Sequence, residues 1–409
     1  MIPLSHIFED GNSFFELIQL LSPDHFRRDS IPDDHWPQII SCADRMRVIP
    51  LLCYILKQYD GIQLPTEISH TLMARYLANG GRNLMLSSEL KRILNAFDTN
   101  AMQVVPLKGA YLAYAVYERS SMRQMLDLDL MVKWEDMPKA ITILETLGYI
   151  ATGAFHWDEE CRRFDHHGPG YRHPSGSMVE LHWNIIDAHS IGEREIAIGE
   201  IFLLRARPGF LLETKTYLLT PEDLILHSVI HQTLHHIFHL GIREFYDIKQ
   251  IYEKFHDNIN WGLLISSAKE LKIERPVILI LTLTDLITGS DITKKMSREG
   301  FTCEIPDQYL IAALSEIEQE NSACSVSFRL SHSKKGILGL IYPALNRVFL
   351  SRKSMQMKYQ VPSDSLRIYL CYPHRLFYLI CHFGPNLINE YFSSHENGNK
   401  HFWNWLYGG

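Results

Sequence analysis

The residues best suited to chemistry are two aspartates one residue apart, Asp127 and Asp129, in the run Leu126-Asp-Leu-Asp-Leu-Met-Val132. Acid and aliphatic residues alternate there, which predicts a strand with both carboxylates on one face and Leu126, Leu128 and Leu130 turned into the core. Carboxylates held that close repel or raise each other's pKa unless a cation neutralises them, and oxygen-only ligands of this kind suit a hard divalent ion such as Mg²⁺. A bare D-x-D also describes an edge strand with a solvated acidic face, so the neighbouring residues decide its weight. Lys108, Gly109 and Ala110 follow the short apolar run Met102–Leu107 and precede a helix expected from about Ala110. Unpaired N–H groups and the helix dipole can receive a phosphate there, and glycine lets the backbone come close to a ligand. Arg123 adds positive charge just before the acidic strand. Some fifty residues later, Ser177-Met-Val-Glu-Leu-His-Trp183 presents a third acid, Glu180, which alternates with apolar Val179 and Leu181. His182 shares the face of Glu180 and is suited either to a contact with the nucleotide or a metal-bound group or to a structural role.

Further along, Arg243 and Asp247 lie four apart, one helical turn. They could pair as a surface salt bridge worth about 0.3–0.5 kcal/mol, or their helix could close over a cleft and offer Arg243 to the nucleotide or acceptor. His227, His231, His235 and His239 recur every four residues with His236 adjacent, which on a straight helix lines up the first three. That pattern invites a zinc assignment. The absence of a neighbouring H-E-x-x-H or cysteine partner favours packing and domain contact instead. His166, His167, Tyr171, Arg172 and His173 fall in a Gly- and Pro-rich segment near the expected cleft, suited either to specificity or to a plain hairpin turn.

These groups need elements to hold them. From Asn12 to about Asn100 apolar residues recur at helical spacing, so residues 1–100 read as an N-terminal helical region. Residues 101–187 read as a compact unit of mixed sheet and helix, with short strands separated by Gly, Pro and Ser turns. Thr220-Pro221-Glu222-Asp223 combines a capping threonine, a first-turn proline and early acids, and opens a mainly helical region spanning the rest of 188–409 that closes the cleft. Within it, residues 289–335 are polar and include loops, and the aromatic and basic stretch beyond reads as buried helices with snorkelling Lys and Arg more than as an RNA surface. The fold class is therefore α+β, a small mixed-sheet core flanked by helical regions.

Composition narrows the functions. The 409 residues carry 40 Lys and Arg against 47 Asp and Glu, a net charge of -7, so no global positive field draws the chain to nucleic acid, which is possible as a partner but not favoured. Seven scattered cysteines without a C-x-x-C pair argue against a disulfide framework and a cysteine zinc site. The first residues lack the plan of a signal peptide and the apolar windows are short or interrupted, which suggests a cytoplasmic protein without a membrane span.

The order Leu107-Lys108-Gly109-Ala110, Arg123, Asp127, Asp129 and then Val179-Glu180-Leu181-His182-Trp183 resembles the polymerase-beta-like nucleotidyltransferase superfamily. It is most similar there to a loosely characterised bacterial nucleotidyltransferase family with an LKG-A...R-x-x-x-D-x-D core and a later V-E-L-H-W strand. The resemblance extends over most of the chain. It implies a metal-dependent transfer of a nucleoside monophosphate from a nucleoside triphosphate, ATP foremost, to a hydroxyl or similar acceptor on a small molecule, a peptide or protein, or RNA. It implies two Mg²⁺ (or Mn²⁺) ions, roughly 3.5–4 Å apart in such sites, held by Asp127, Asp129 and Glu180, with Lys108, Gly109, Ala110 and Arg123 at the nucleotide. The superfamily usually has Gly-Ser or Gly-Gly where this chain has Gly109-Ala110, so no serine hydroxyl is available to the triphosphate, and phosphate holding rests on backbone N–H groups, metal and Lys108. The alternative is a nucleotide- or partner-binding protein of the same fold that no longer turns over. The presence of all three acids argues against it.

Overall fold

A computed structural model describes residues 3–22, 31–58, 64–153, 157, 161–162, 165–186, 198–302, 304–319, 349, 352–359, 361–362, 365–393 and 398–407. Its architecture is α+β, with a small mixed sheet among many helices.

The N-terminal helices are α1 (Ser13–Leu21), α2 (Trp36–Arg45), α3 (Ile49–Leu56) and the long α4 (Thr66–Thr99). The Asn12 side chain caps α1 by accepting from the N–H groups of Phe14 and Phe15. One face of α4 buries Leu86, Leu90, Ile93, Leu94 and Phe97, spaced at helical intervals, while Asn79 and Asn83 are buried on its first half. Those two amides have a specific task. Asn83 donates to the carbonyls of Ser120 (2.6 Å) and Arg123 (2.8 Å), and Asn79 to those of Ser121 (2.8 Å) and Arg123 (3.2 Å), so α4 fixes the turn that carries Arg123.

The sheet has the order β1-β2-β5-β4-β3, built from β1 (Val105–Pro106), β2 (Leu128–Met131), β3 (Ile150–Ala151), β4 (Tyr171–Arg172) and β5 (Met178–His182). Helix α5 (Lys108–Ala115) follows β1, and α6 (Met137–Thr146) lies between β2 and β3. The pairing that matters most is parallel: β2 lies beside β5 with Leu128 opposite Val179, Asp129 opposite Glu180 and Leu130 opposite Leu181. Side chains alternate along both strands, so the four aliphatic residues enter the core together and the two acids leave it together. Leu126 does not join them. It precedes the strand and is 61% exposed, because the pleat that would turn it inward starts only at Leu128.

Helix α7 (Ile198–Arg205) leads to a two-stranded hairpin, β6 (Arg207–Leu211) and β7 (Thr214–Leu218), in a region expected to be helical. The hairpin docks on the main sheet's edge, where Thr216 Oγ1 and the Tyr217 N–H both donate to the Val104 carbonyl, at 2.9 and 3.1 Å. Then come α8 (Pro221–Ile230), a π-helical turn at His231–His235, α9 (Arg243–Phe255), α10 (Trp261–Glu270) and α11 (Glu274–Thr288). The Thr220 hydroxyl accepts from the Asp223 N–H at 3.3 Å, with Pro221 in the first turn of α8. Residues 289–318 hold two helices, α12 (Ile292–Arg298) and α13 (Asp307–Glu318), flanked by the expected loops, the former anchored by Asp285, whose carboxylate accepts from the N–H groups of Ile292 and Thr293 at 2.8 Å each. Helices α14 (Arg352–Tyr359), α15 (Ile368–Ser393) and α16 (Gly398–Tyr407) follow, and Phe402, Trp403 and Leu406 of α16 join the main core. Much of the basic and aromatic stretch weighed as an RNA surface lies outside the described residues. Among the described residues no helix is long and apolar enough to cross a membrane.

Candidate functional site

The in-register pairing of β2 with β5 brings Asp129 and Glu180 side by side on the face of the sheet opposite its buried aliphatics. His182, two residues along the same strand, shares that face, and its Nε2 lies 2.8 Å from Asp129 Oδ1 and 3.8 Å from Glu180 Oε2. Lys108, at the start of α5, donates from Nζ to the same Asp129 Oδ1 at 2.8 Å. Asp129 is 4% exposed and is thus a buried carboxylate held between an ammonium and an imidazole.

The Lys108 backbone sits at φ +44°, a left-handed conformation that disfavours any residue with a Cβ and costs on the order of 1–3 kcal/mol. Its charged contact with Asp129 is made from that strained position. Gly109 is needed for a reason other than ligand approach. A Cβ there would lie 2.6 Å from Arg123 Nη1 and 2.6 Å from Met125 Sδ, so the missing side chain makes room for the guanidinium. Ala110 is fully buried, and only its backbone could serve a ligand.

Arg123 is 3% exposed and forms a bidentate pair with Asp247, which is 0% exposed, through Nε–Oδ1 (2.8 Å) and Nη2–Oδ2 (2.7 Å). The Tyr117 hydroxyl donates to Asp247 Oδ1 at 2.8 Å. Burial works against the charge on Arg123, but the Asp247 carboxylate more than offsets it, and the guanidinium stays ionised. The expected pairing of Arg243 with Asp247 does not form. Arg243 bonds its neighbour Glu244 at 2.7 Å and reaches toward the Gln124 carbonyl at 3.4 Å, because the long-range fork of Arg123 claims both oxygens of Asp247. The helix carrying these residues lines the cavity through Arg243 and is tied to the turn before β2 by a buried ion pair instead of a surface one.

A polar cavity of about 290 Å³ opens over the acids. Asp129, Glu180 and His182 line it from the sheet and Asp127 from just before β2, with Lys108, Gly109 and Arg123 beside them. Arg47, Arg243 and the histidines His231, His235 and His236 face them from the helical side. Arg47 carries no local motif to single it out. It is placed by Gly241, which at φ +73° approaches the Met46 backbone so closely that a Cβ would lie 2.7 Å from Met46 Cα.

The electrostatics are uneven. Burial first, then the charges of Asp129 and Glu180, push Asp127 up to about 6. Glu180 is raised by burial and by Asp129. Burial would raise Asp129 too, but Lys108 and His182 hold it well below the usual carboxylate range. His182 itself is lowered to about 4, burial outweighing its bond to Asp129. Lys108 loses by burial and gains more from Asp129, Asp127 and Glu180, so it stays a cation.

Asp129, Glu180 and His182 present ligand atoms within 4.8 Å of one another, a group that could hold a metal ion. Asp127 lines the same cavity but stands outside that tight group, so His182 takes the third place that the residue pattern alone gives to Asp127. The donor set fits a hard divalent ion: three carboxylates meet in one cavity, burial and then the neighbouring carboxylates raise the pKa of two of them, and the Lys108 ammonium occupies a position a cation would favour.

His227, His231 and His235 do keep neighbouring rings, with centroids 6.0 and 5.6 Å apart, but the four-residue repeat does not continue to His239 as one stripe. The π-helical turn at His231–His235 breaks the α-helical register, so His231, His235 and His236 gather, with His239 outside that group. His166 and His167 join the same wall, and an isolated bridge pairs His167 with His182.

The model of a protein family described as an uncharacterised nucleotidyltransferase matches residues 32–289, more than half of the chain. No curated protein matches it.

Proposed function

The chain belongs to the uncharacterised nucleotidyltransferase family, and from that premise we propose that this cavity moves a nucleoside monophosphate from a nucleoside triphosphate, with ATP as donor, to an acceptor hydroxyl. The observation that carries the reading is the parallel register that sets Asp129 against Glu180, with Asp127 on the same cavity wall and Lys108, Arg47 and Arg243 around it. An acidic end and a cationic end within one cavity suit a magnesium–triphosphate better than either partner alone.

Asp127, Asp129 and Glu180 would hold Mg²⁺ (or Mn²⁺), two ions in all, with His182 bonded behind Asp129. The bound metal would neutralise the phosphate oxygens and make the acceptor hydroxyl more acidic. The remaining work falls to the chain. Lys108, released from Asp129, binds phosphate oxygens, while the backbone N–H groups of Gly109 and Ala110 at the start of α5 offer further donors. Arg47 and Arg243 orient the outer phosphates from the helical wall. Glu180 would hold the ion at the acceptor hydroxyl and take the acceptor proton as the acceptor oxygen bonds the α-phosphorus. The bond from that phosphorus to the bridging oxygen breaks, and pyrophosphate leaves. Arg123 acts from behind, holding Asp247 and thereby α9. The acceptor is a small molecule, a peptide or protein, or RNA, and the protein works in the cytoplasm.

The test is a pair of measurements on wild type and Asp129→Asn. Wild type should gain thermal stability from ATP with Mg²⁺ and release pyrophosphate when acceptors are supplied, and Asp129→Asn should do neither. Equal behaviour of the two proteins would sink the proposal.

A further inference from the structure

We propose that His231, His235 and His236 form a second metal site, one that takes a divalent transition metal such as Zn²⁺ and differs in ligand chemistry from the carboxylate cluster. Their ligand nitrogens lie within 4.8 Å of one another. The ring centroids of His231 and His236 are 4.5 Å apart, those of His235 and His236 4.4 Å, and those of His231 and His235 5.6 Å.

The backbone explains how three imidazoles meet. In an α-helix a residue five positions on points roughly 140° away from the first, which would send His236 to the far side from His231. The π-helical turn at His231–His235 takes more residues per turn, so positions four and five beyond His231 fall on either side of its direction. A π-turn forgoes regular hydrogen bonding, and such turns recur at functional sites. Here it gathers three histidines on the wall of one cavity.

The second observation concerns His231 itself. It is 7% exposed, and its buried Nδ1 has no hydrogen-bond partner. The nearest acceptor, Glu244 Oε1, stands 3.9 Å away, too far for a hydrogen bond but close enough for a small ring movement to close. With Nδ1 turned to Glu244, the other ring nitrogen is the one available to an ion. A carboxylate behind a metal-bound histidine is the usual arrangement that fixes its tautomer and orientation.

Ligand type sets the metal. Imidazoles suit Zn²⁺ and its first-row neighbours, whereas the carboxylates across the cavity suit Mg²⁺. Three protein nitrogens leave a tetrahedral ion one open position, as in zinc sites that bind substrate or water. His166 lies between the two clusters, its ring centroid 4.7 Å from that of His235 and 5.7 Å from that of His182. The open position therefore belongs to the same cavity as the acids, where an oxygen or sulfur donor of an acceptor molecule could bind. The metal site itself does not depend on the nucleotidyl-transfer reading, and its test involves no nucleotide.

The experiment is Co²⁺ binding to the full chain, stripped with chelator and then held in excess Mg²⁺ so that the carboxylates are occupied. Visible absorption of the cobalt ion reports nitrogen ligation in a four-coordinate field. Wild type and Asp129→Asn should each bind about one equivalent with that absorption, and His235→Gln and His236→Gln should lose it while keeping their far-ultraviolet dichroism. X-ray absorption at the cobalt edge of the wild type should show a nitrogen-dominated shell, a reading that stands even if the variants misfold. Absence of cobalt binding in excess Mg²⁺, an oxygen-dominated shell, or loss of the signal in Asp129→Asn but not in folded histidine variants would overturn the proposal.

Discussion

Replacing Asp247 should cost this protein a large part of its stability, although the residue sits in a helix far from the acids in sequence. Its carboxylate is 0% exposed and satisfies Arg123 at 2.7 and 2.8 Å and Tyr117 at 2.8 Å. Asp247→Ala leaves a guanidinium that is itself 3% exposed without a counter-charge, in a turn whose backbone Asn79 and Asn83 hold in place. Breaking a buried pair from one side costs about 3–5 kcal/mol, against a total of about 5–15 kcal/mol for a typical fold. Tyr117→Phe removes a single hydrogen bond to a charged acceptor and should cost about 1.5–3 kcal/mol. The double change Arg123→Met with Asp247→Leu removes both charges and should recover much of the loss, since apolar replacement of buried pairs is often neutral. Urea unfolding of the two single variants, the double variant and wild type gives the coupling energy directly. A cost below about 1 kcal/mol for Asp247→Ala would show that the pair is solvated or replaceable, and the account of Arg123 as the tie between sheet and α9 would fail.

Three further outcomes follow from the same geometry. Gly109→Ala puts a methyl group 2.6 Å from Arg123 Nη1 and Met125 Sδ and should destabilise by about 1–3 kcal/mol as an overpacked core position, read by thermal melting; an unchanged melting point would show that these side chains give way freely. For Asp127, the folded-state pKa of about 6 exceeds the ordinary aspartate value of 3.8, so the folded state binds its proton more tightly. Metal-free protein should therefore lose stability as pH rises from about 4 to about 6 and level off above, by at most about 3 kcal/mol, and Asp127→Asn should lack that component in unfolding curves taken across the window. Adding Mg²⁺ or Mn²⁺ at neutral pH should raise the melting temperature of wild type and not of Asp129→Asn, because an ion that binds the folded state alone shifts the equilibrium toward it.

How far the sequence carries can be seen residue by residue. The acid-aliphatic alternation around Asp129 and Glu180 marks two strands and the faces their side chains take, and the Thr220-Pro221 pair marks the start of α8. Alternation does not tell which strand pairs with which, so the register that places Asp129 against Glu180 across about fifty residues becomes visible only in three dimensions. Local spacing misled at Arg243 and Asp247, where a one-turn interval suggested a pair and a distant arginine won with better geometry. The hairpin at β6 and β7 turns through Leu212 and Glu213 at φ +50° and +63°, a conformation normally announced by Asn or Gly, and this missing signal hid it among helices. The π-turn brought His236 beside His231 and His235, a residue that the four-residue interval does not mark and a regular helix would turn away. Arg47 reaches the cavity through a contact between loops that no periodicity encodes.

The most direct test of the central claim follows label and pyrophosphate together. Wild type, Asp129→Asn and Glu180→Gln would be incubated with Mg²⁺, ATP labelled at the α-phosphate and a panel of small-molecule, peptide and RNA acceptors. The account predicts that wild type places label on an acceptor with one pyrophosphate released per transfer, and that both folded variants do neither. Label transfer by Asp129→Asn at the wild-type rate, or a folded wild type that neither binds ATP with Mg²⁺ nor releases pyrophosphate, would contradict it.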